Sequence, residues 1–334
     1  MITEKMHIVH DLAKCVGCFN CMVACKDEHV GNSWLPYTEE QQKHEQKWIN
    51  PEKRERGSAP FTEMCFVTKL CQHCGNAPCE KAAPDAVTRR DDGVVLLDVE
   101  KARGNKGLVD ACPYGRISWN EERQIAQKCT MCAHLLDEGW KEPRCVQACP
   151  LRALSAVRCS DAEFESMVTS QGLEPLAEKR PGCAADQGVP AGLESAFSQN
   201  GEKRPESENS QNGVFHLRDG KSPGADALGN APCDNAPRVM YRNLYKYNTC
   251  FIAGALAYRD GDIERAAAEA KVELLKDGAA IAEEMTDFFG EFKIDHIPKN
   301  SGTYELVFSL EGFDPLRREV TVGDASPCLD VMMF

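Results

Sequence analysis

Cysteine is the residue that most constrains this sequence. The chain contains 18 cysteines in 334 residues, and 13 of them lie within the first 149 residues. A disulfide scaffold also uses many cysteines, but such scaffolds are typical of short exported chains. Residues 1–7 contain no apolar segment of an export signal, so we expect no signal peptide on this chain. Metal binding is therefore the favoured role of the cysteines.

Two cysteine groups follow the bacterial ferredoxin pattern. The first is Cys15-x2-Cys18-x2-Cys21-x3-Cys25, and the last is Cys129-x2-Cys132-x12-Cys145-x3-Cys149, which Pro150 follows. In this pattern three thiolates of a run bind one 4Fe-4S cluster, and the fourth binds the neighbouring cluster. The spacing predicts set A, which consists of Cys15, Cys18, Cys21 and Cys149. It also predicts set B, which consists of Cys25, Cys129, Cys132 and Cys145. Taken alone, the last group would also suit a zinc ion.

The cysteines between these groups predict a third cluster and the loss of a fourth. Set C consists of Cys71, Cys74, Cys79 and Cys112. The other ligand positions of a four-cluster pattern are occupied by Ala83, Ala102, Asn105 and Leu108. These four positions are the complete ligand set of one cluster, so the loss is internally consistent. Sets A, B and C are therefore expected to hold three 4Fe-4S clusters with twelve cysteines.

The cysteines outside the three sets, and the other reactive side chains, are expected to have structural roles. The remaining cysteines are expected to be buried or inert thiols. They are Cys65, Cys159, Cys183, Cys233, Cys250 and Cys328.

Lys128 is either a counter-charge for a cluster beside Cys129 or a solvated charge, and His73 is expected to be structural. Residues 52–56 are expected to form a solvated charged face, with Arg54 and Arg56 as alternative partner contacts. We find no nucleotide-binding motif or nucleophile–base grouping, and expect no catalytic site on this chain.

Composition limits the classes of partner. The chain has 39 Lys and Arg against 52 Asp and Glu, which gives a net charge of −13. An acidic chain repels a phosphate backbone, so nucleic-acid binding is excluded as an expected function. No apolar run approaches the ~18 residues of a membrane span, and we therefore expect no membrane anchor.

The sequence predicts an α+β fold with two domains and a linker. Residues 1–175 form the predicted tandem bacterial-ferredoxin-like domain, which ends in a helix capped by Ser160 and Glu163 and stopped by Gly172. Residues 176–240 form a predicted linker or insertion, because 14 of the 57 residues between 181 and 237 are Gly or Pro.

Residues 241–334 form the predicted antiparallel β-sandwich or barrel domain. The predicted strands are 250–258, 271–275, 291–294, 304–310, 318–322 and 329–334. Residues 263–275 also suit a helix, but the turn residues that follow favour a strand from Lys271.

Several segments carry a resemblance to a known family. They are 48–57 (WINPEKRERG), 112–115 (CPYG), 126–136 (AQKCTMCAHLL), 242–245 (RNLY) and 287–292 (DFFGEF). With the cysteine groups, they resemble the iron–sulfur small subunits of DMSO-reductase-type molybdopterin oxidoreductases, and among them those of the pyrogallol–phloroglucinol transhydroxylase type. The resemblance implies three cubane clusters and a C-terminal β-domain similar to carboxypeptidase regulatory-like modules. It covers about residues 1–175 and 238–334 and departs at about 181–236.

The resemblance implies a function and a partner. The chain would carry electrons for a large catalytic subunit that holds molybdenum on two pterin guanine dinucleotides and acts on polyhydroxylated aromatics. The chemistry there would be either hydroxyl transfer or reductive dehydroxylation of a catechol. The alternatives are a subunit of another molybdenum reductase, a free polyferredoxin shuttle and a zinc-stapled binding module. We expect a cytoplasmic location, or export together with a signal-bearing catalytic subunit.

Overall fold

The computed structural model describes residues 4–44, 46–176 and 235–334. Its strands are β1 (Lys5–Asp11), β2 (Ile49–Arg56), β3 (Glu63–Leu70), β4 (Val87–Arg89), β5 (Val95–Leu97), β6 (Ile117–Asn120), β7 (Ile125–Lys128), β8 (Leu154–Cys159), β9 (Val239–Arg242), β10 (Cys250–Asp260), β11 (Ile263–Ala266), β12 (Lys271–Lys276), β13 (Ala279–Met285), β14 (Glu291–Ile297), β15 (Gly302–Ser309), β16 (Leu316–Val322) and β17 (Met332–Met333). Its helices are α1 (Asn20–His29), α2 (Pro78–Ala82), α3 (Val99–Ala102), α4 (Ala133–Asp137), α5 (Arg144–Gln147), α6 (Asp161–Gln171) and α7 (Tyr245–Asn248), with a 3-10 turn at Lys106–Leu108.

The described residues form two compact units. The first contains residues 4–44, 46–52, 66–176 and 235–244, and the second contains residues 53–65 and 245–334. The units are not continuous in sequence, whereas the predicted domains 1–175, 176–240 and 241–334 are. Most of the predicted linker, with Cys183 and Cys233, lies outside the described residues.

Besides its helices, the first unit contains a three-stranded sheet and two short hairpins. Strand β1 pairs antiparallel with β8 and parallel with β9. Because β1 is the central strand, nearly all of its residues are buried, whereas its neighbours carry several partly exposed positions. The short hairpins β4–β5 and β6–β7 lie in the part of the chain between the cysteine groups.

The predicted helix at the end of the first unit is confirmed as α6. The Ser160 side chain accepts a hydrogen bond from the Glu163 backbone N–H, and the Glu163 carboxylate accepts one from the Ser160 backbone N–H. The helix ends at Gly172, whose φ of 57° lies in the left-handed region that glycine enters without strain. Local sequence alone therefore determines both ends of this helix.

The second unit is built of antiparallel strands. One sheet has the order β11-β10-β14, and the other has the order β13-β12-β15-β16. The ladders among β10 to β16 are antiparallel, and the two-residue strand β17 adds to β10 in parallel. Its core contains Ile252, Leu274, Ile294, Leu306 and Phe308, all fully buried. The chain is thus a mixed α+β protein with a C-terminal antiparallel sheet region.

Five of the six predicted strands of this unit are confirmed as β10, β12, β14, β15 and β16, whereas the predicted strand 329–334 is only the two-residue β17. The strand from Lys271 is β12, and the region before it contains β11 rather than a helix. Strand β13 was not predicted, because its sequence AAIAEEM favours a helix. Its pairing with β12 across the turn at Asp277 and Gly278, both with positive φ, overrides that preference.

The expected solvated face at residues 52–56 is wrong for Arg56. Its side chain is buried, and its guanidinium pairs with Asp295 at 3.0 Å and with Glu63. Lys293 pairs with the same two carboxylates, at 2.7 Å from Asp295 and 3.5 Å from Glu63. Burial alone would raise the pKa of Asp295, but the charges of Arg56 and Lys293 outweigh it and hold that pKa below its usual range. Arg56 is therefore part of an internal ion-pair network.

None of the helices in the described part of the chain is long and apolar enough to cross a membrane.

Candidate metal centre

The loops that carry the cysteines contain several residues with positive φ. Gly17 and Phe19 have φ of 65° and 60°, and His73, Met131 and Cys132 have φ between 41° and 53°. Such residues turn the backbone sharply, so that neighbouring cysteine side chains can face one cavity. At Gly17 a Cβ atom would lie 2.4 Å from ring atoms of Phe66, so this position requires glycine for two reasons.

Charge interactions link the four thiols of set A. Cys21 lies on α1, Cys149 follows α5, and these two helices pack against each other. Burial and then the charges of Cys15, Cys149 and Cys18 raise the pKa of Cys21 to about 12. Of the four thiols, that of Cys21 is buried, whereas Cys18 is exposed.

The four thiols of set B line one cavity. Apolar side chains, among them Ile8, Leu70 and Met131, complete its wall. Burial and then the charge of Cys129 raise the pKa of Cys132 to about 12. Four sulfurs around an apolar cavity suit a polynuclear cluster, whereas zinc needs four ligands about 2.3 Å from one point.

The four thiols of set C line a second cavity. Burial and then the charge of Cys71 raise the pKa of Cys112 to about 11, and the charge of Cys79 adds to the effect. The structure therefore places Cys79 and Cys112, which are 33 residues apart in the sequence, at one cavity. This is the grouping that the sequence pattern predicts for a third cluster.

The charge interactions between cysteines also give the order of the three sets. The charge of Cys21 in set A raises the pKa of Cys25 and Cys145 in set B. The charge of Cys71 in set C raises the pKa of Cys129 in set B. Set B is thus the neighbour of both other sets.

The four positions that lack cysteine lie around an apolar core. Ala102 and Leu108 are fully buried in it, and Ala83 packs against it with Cys79 and Cys112. Asn105 is half-buried. Hydrophobic side chains of β4 to β7 therefore fill the region beside set C where a fourth ligand set is missing.

Backbone N–H donors reach the sulfurs of three candidate ligands. The N–H groups of Met131, Arg116 and Leu154 donate to Cys129, Cys112 and Cys149, respectively, at 3.3–3.4 Å. Cysteine binds metal as the thiolate, and such donors favour the charged form. For Cys112 and Cys129 these N–H groups offset part of the burial effect that raises the thiol pKa.

Two buried nitrogen groups face the cavity of set C. Lys128 is only 3% exposed, lines this cavity, and donates from Nζ to the carbonyl oxygens of Val95 and Cys129. The alternative of a solvated Lys128 is therefore wrong. His73 accepts the Val95 N–H at Nδ1 with a distance of 3.1 Å, while its buried Nε2 has no hydrogen-bond partner among the described residues. A cation and an unsatisfied imidazole nitrogen at the wall fit an anionic cluster in this cavity.

Sequence analysis missed the histidine that lines the cavity of set B. His29 lies one helical turn after Cys25 on α1, and its Nε2 is 3.9 Å from the sulfur of Cys132. Burial lowers the pKa of His29 to about 3, so the ring is neutral at pH 7. The signal was present in the i, i+4 spacing from Cys25, which places both side chains on one helix face.

The cysteines outside sets A, B and C have local packing roles where they are described. Cys65 is buried, and its thiol donates to the Lys246 carbonyl oxygen at 3.1 Å. Cys250 is part of the core of the second unit, and Cys159 and Cys328 pack against smaller apolar clusters. None of the sixteen described cysteines forms a disulfide bond.

Comparisons with known proteins identify the chemistry of the cysteine-rich part. Residues 62–158 match the 4Fe-4S dicluster domain family, and this range includes all of set C and all of set B except Cys25. Over 306 residues the chain is 35% identical to the pyrogallol hydroxytransferase small subunit of Pelobacter acidigallici, which covers 91% of this chain and 90% of the relative.

Two further relatives are similar to a shorter part of the chain. It is 30% identical over 188 residues to the thiosulfate reductase electron transfer subunit PhsB of Salmonella typhi, covering 55% of this chain and 92% of the relative. It is 27% identical over 198 residues to the iron–sulfur subunit of the arsenate respiratory reductase of a Shewanella species, covering 45% of this chain and 80% of the relative.

Proposed function

Because the chain belongs to the family of electron-transfer iron–sulfur subunits that includes the pyrogallol hydroxytransferase small subunit, we propose that it carries electrons for a molybdopterin catalytic subunit acting on polyhydroxylated aromatics. As a small subunit of a multisubunit enzyme, it has a catalytic partner. We assign one 4Fe-4S cluster to each of sets A, B and C, three in all. When bound, such clusters take up and release single electrons.

The observation that carries the substrate proposal is the extent of the similarity to the Pelobacter acidigallici subunit. The alignment spans 306 residues, so it cannot be confined to the cysteine-rich part and must include the C-terminal sheet region. The thiosulfate and arsenate reductase subunits match 55% and 45% of this chain. The longer similarity favours a partner related to the hydroxytransferase over another molybdenum reductase.

The order of the three sets supports a linear path. Set B neighbours both other sets, so an electron would pass from one end set through set B to the other. Set A includes the exposed Cys18, whereas the thiols of set C are buried or half-buried. Set A is therefore the end that we propose exchanges electrons with the catalytic partner.

We also propose the finer features of the architecture and the location. The first unit is proposed as a tandem ferredoxin-like domain and the second as a β-sandwich of the carboxypeptidase regulatory-like type. The boundaries 1–175, 176–240 and 241–334 stay a prediction. The cytoplasmic location, or export with a signal-bearing partner, stays a prediction as well.

The experiment that tests the proposal uses the complex with its catalytic partner, purified without oxygen. The clusters are reduced with dithionite, excess reductant is removed, and a catechol is added while cluster absorbance is followed. Reductive dehydroxylation replaces a ring hydroxyl by hydrogen and releases water, which consumes two electrons and two protons. Each catechol turned over would then reoxidise two clusters, since each releases one electron.

The two reaction types give different results in this experiment. Clusters that stay reduced while product forms would indicate hydroxyl transfer without net electron flow. A chain that purifies without a molybdenum-containing subunit would instead favour the free polyferredoxin shuttle. A colourless chain that contains zinc would contradict the proposal and favour a zinc-stapled binding module.

A further inference from the structure

Lys128 is a buried cation held in one position. It ends β7, a strand in which every residue is buried. Its Nζ donates to the carbonyl oxygen of Val95 and, at 3.2 Å, to that of Cys129. The ammonium group therefore lies at the wall of the set C cavity and beside a ligand of set B.

Among residues 4–44, 46–176 and 235–334, no carboxylate forms an ion pair with Lys128. Arg89 provides a contrast, because it also reaches set C, at 2.8 Å from the Cys74 carbonyl oxygen, but its charge is paired with Glu80. A buried charge without a counter-ion is strongly destabilising, and neutral carbonyl groups compensate only part of the cost. The balancing negative charge must come from the cavity.

We propose that Lys128 is the internal counter-ion of the set C cluster and raises its reduction potential. This inference rests on the proposed assignment of a 4Fe-4S cluster to set C. Reduction adds one electron, and thus one negative charge, beside the fixed ammonium, with no proton leaving Lys128. The reduced form gains more from this attraction than the oxidised form does, and net charge is one of the determinants of cluster potential.

Lys128 thus holds a fixed positive charge at the set C end of the electron path. The Val95 peptide group fixes its place, because its carbonyl oxygen accepts from Lys128 while its N–H donates to His73.

The test compares cluster potentials in the isolated holo-chain by redox titration followed with electron paramagnetic resonance. The variants are Lys128→Met and Lys128→Gln, which remove the charge, and Lys128→Arg, which keeps it. Lys101→Met on α3 is the matched control, because it removes an exposed lysine from the same unit. Iron content and wild-type spectra establish first that the set C cluster is present, so failure of the proposed function is seen separately.

In Lys128→Met and Lys128→Gln we expect the reduced-to-oxidised ratio of one cluster, at its wild-type midpoint, to fall at least tenfold. That corresponds to a downward shift of about 59 mV for one electron. Lys128→Arg and Lys101→Met are expected to change the ratio less than threefold.

Selective loss of the set C cluster from the Met and Gln variants, with retention in the Arg variant, would also support a required counter-charge. Equal effects of Arg and Met at position 128, in potential or in cluster loss, would overturn the proposal. Unchanged potentials in the Met and Gln variants with full iron content would overturn it too.

Discussion

Single residues decide which thiols can bind metal and which cannot. Burial raises the pKa of Cys112 and of Cys65 alike, each to about 11, so burial alone does not identify a ligand. What separates them is their surroundings. Cys112 shares a cavity with three other thiols, whereas Cys65 donates to a carbonyl oxygen. A ligand is therefore recognised by its grouping with other thiols.

Replacing Cys112 by serine tests this distinction. We expect Cys112→Ser to lose the set C cluster selectively, so that iron falls from about 12 to about 8 per chain. Cys65→Ser is the matched control, because the hydroxyl can still donate to the Lys246 carbonyl oxygen and iron should be unchanged. Iron analysis and electron paramagnetic resonance are the measurements. Retention of all three cluster signals in Cys112→Ser would show that the grouping of set C is wrong.

Substitution of Gly17 tests whether the loop geometry of set A requires glycine. Its positive φ and the 2.4 Å approach of a Cβ atom to the Phe66 ring predict that Gly17→Ala distorts the loop. Strain of this kind costs about 1–3 kcal/mol, and we expect earlier loss of the set A signal in anaerobic urea unfolding. Gly107→Ala is the control, since Gly107 has no positive φ and its nearest neighbouring atom is 3.6 Å away. Equal urea midpoints in the two variants would contradict the argument.

At this scale the sequence pattern indicates ligand sets, but it does not show what surrounds them. Ligand sets follow from local spacing, because a short loop confines where its sulfurs can point. The burial of Lys128 and the ion pairs of Arg56 depend on residues far away in the chain, such as Val95 and Asp295, so local pattern could not reveal them. His29 could have been found from its helical spacing to Cys25, but an isolated histidine more often has a structural role.

At the scale of secondary structure, elements with strong local signals were predicted and those that depend on pairing were not. Helix α6 has a capping box at one end and a glycine at the other, so its own residues specify it. Strand β13 has a helix-favouring sequence and exists because β12 pairs with it. Strand propensity depends on such context, which a sequence pattern shows only through the turn.

The capping box of α6 is a testable local contribution. Ser160→Ala removes the side chain that accepts from the Glu163 N–H, and we expect a loss of about 1 kcal/mol in unfolding free energy. Ser166→Ala, inside the same helix, is the control, and it should be neutral because alanine favours helices. Chemical denaturation of the anaerobic holo-protein measures both. A Ser160→Ala variant as stable as Ser166→Ala would contradict the capping account.

Within the second unit, the stability contribution of the buried ion-pair network of Arg56 can be compared with that of an exposed ion pair. Arg56→Met leaves Asp295 and Glu63 with fewer counter-charges in a buried site, and we expect a loss of about 3–5 kcal/mol. Arg317→Met breaks an exposed pair with Glu305, and we expect a change below about 1 kcal/mol. Denaturant unfolding followed by the signal of the β-sheet region compares the two. Similar losses in both variants would mean that Arg56 contributes no more than a surface pair.

At the scale of the whole molecule, three cysteine sets are present and a fourth ligand set is missing. Three cysteine sets lie in the order A, B, C, and apolar side chains fill the region beside set C where the fourth set is lacking. Ala102 and Leu108 are fully buried there, so side-chain packing occupies that region. Such a chain has ligand sets for the three clusters that we propose, and we propose that substrate chemistry takes place on its catalytic partner.

The most direct measurement is the iron, sulfide and zinc content of the chain purified without oxygen, together with its reduced spectrum. The account predicts about 12 iron and about 12 sulfide per chain, negligible zinc, and three magnetically distinct clusters. About 8 iron would mean that set C or another set is not a ligand set, and about 16 would mean that a fourth cluster is held. Zinc in place of iron would contradict the account as a whole.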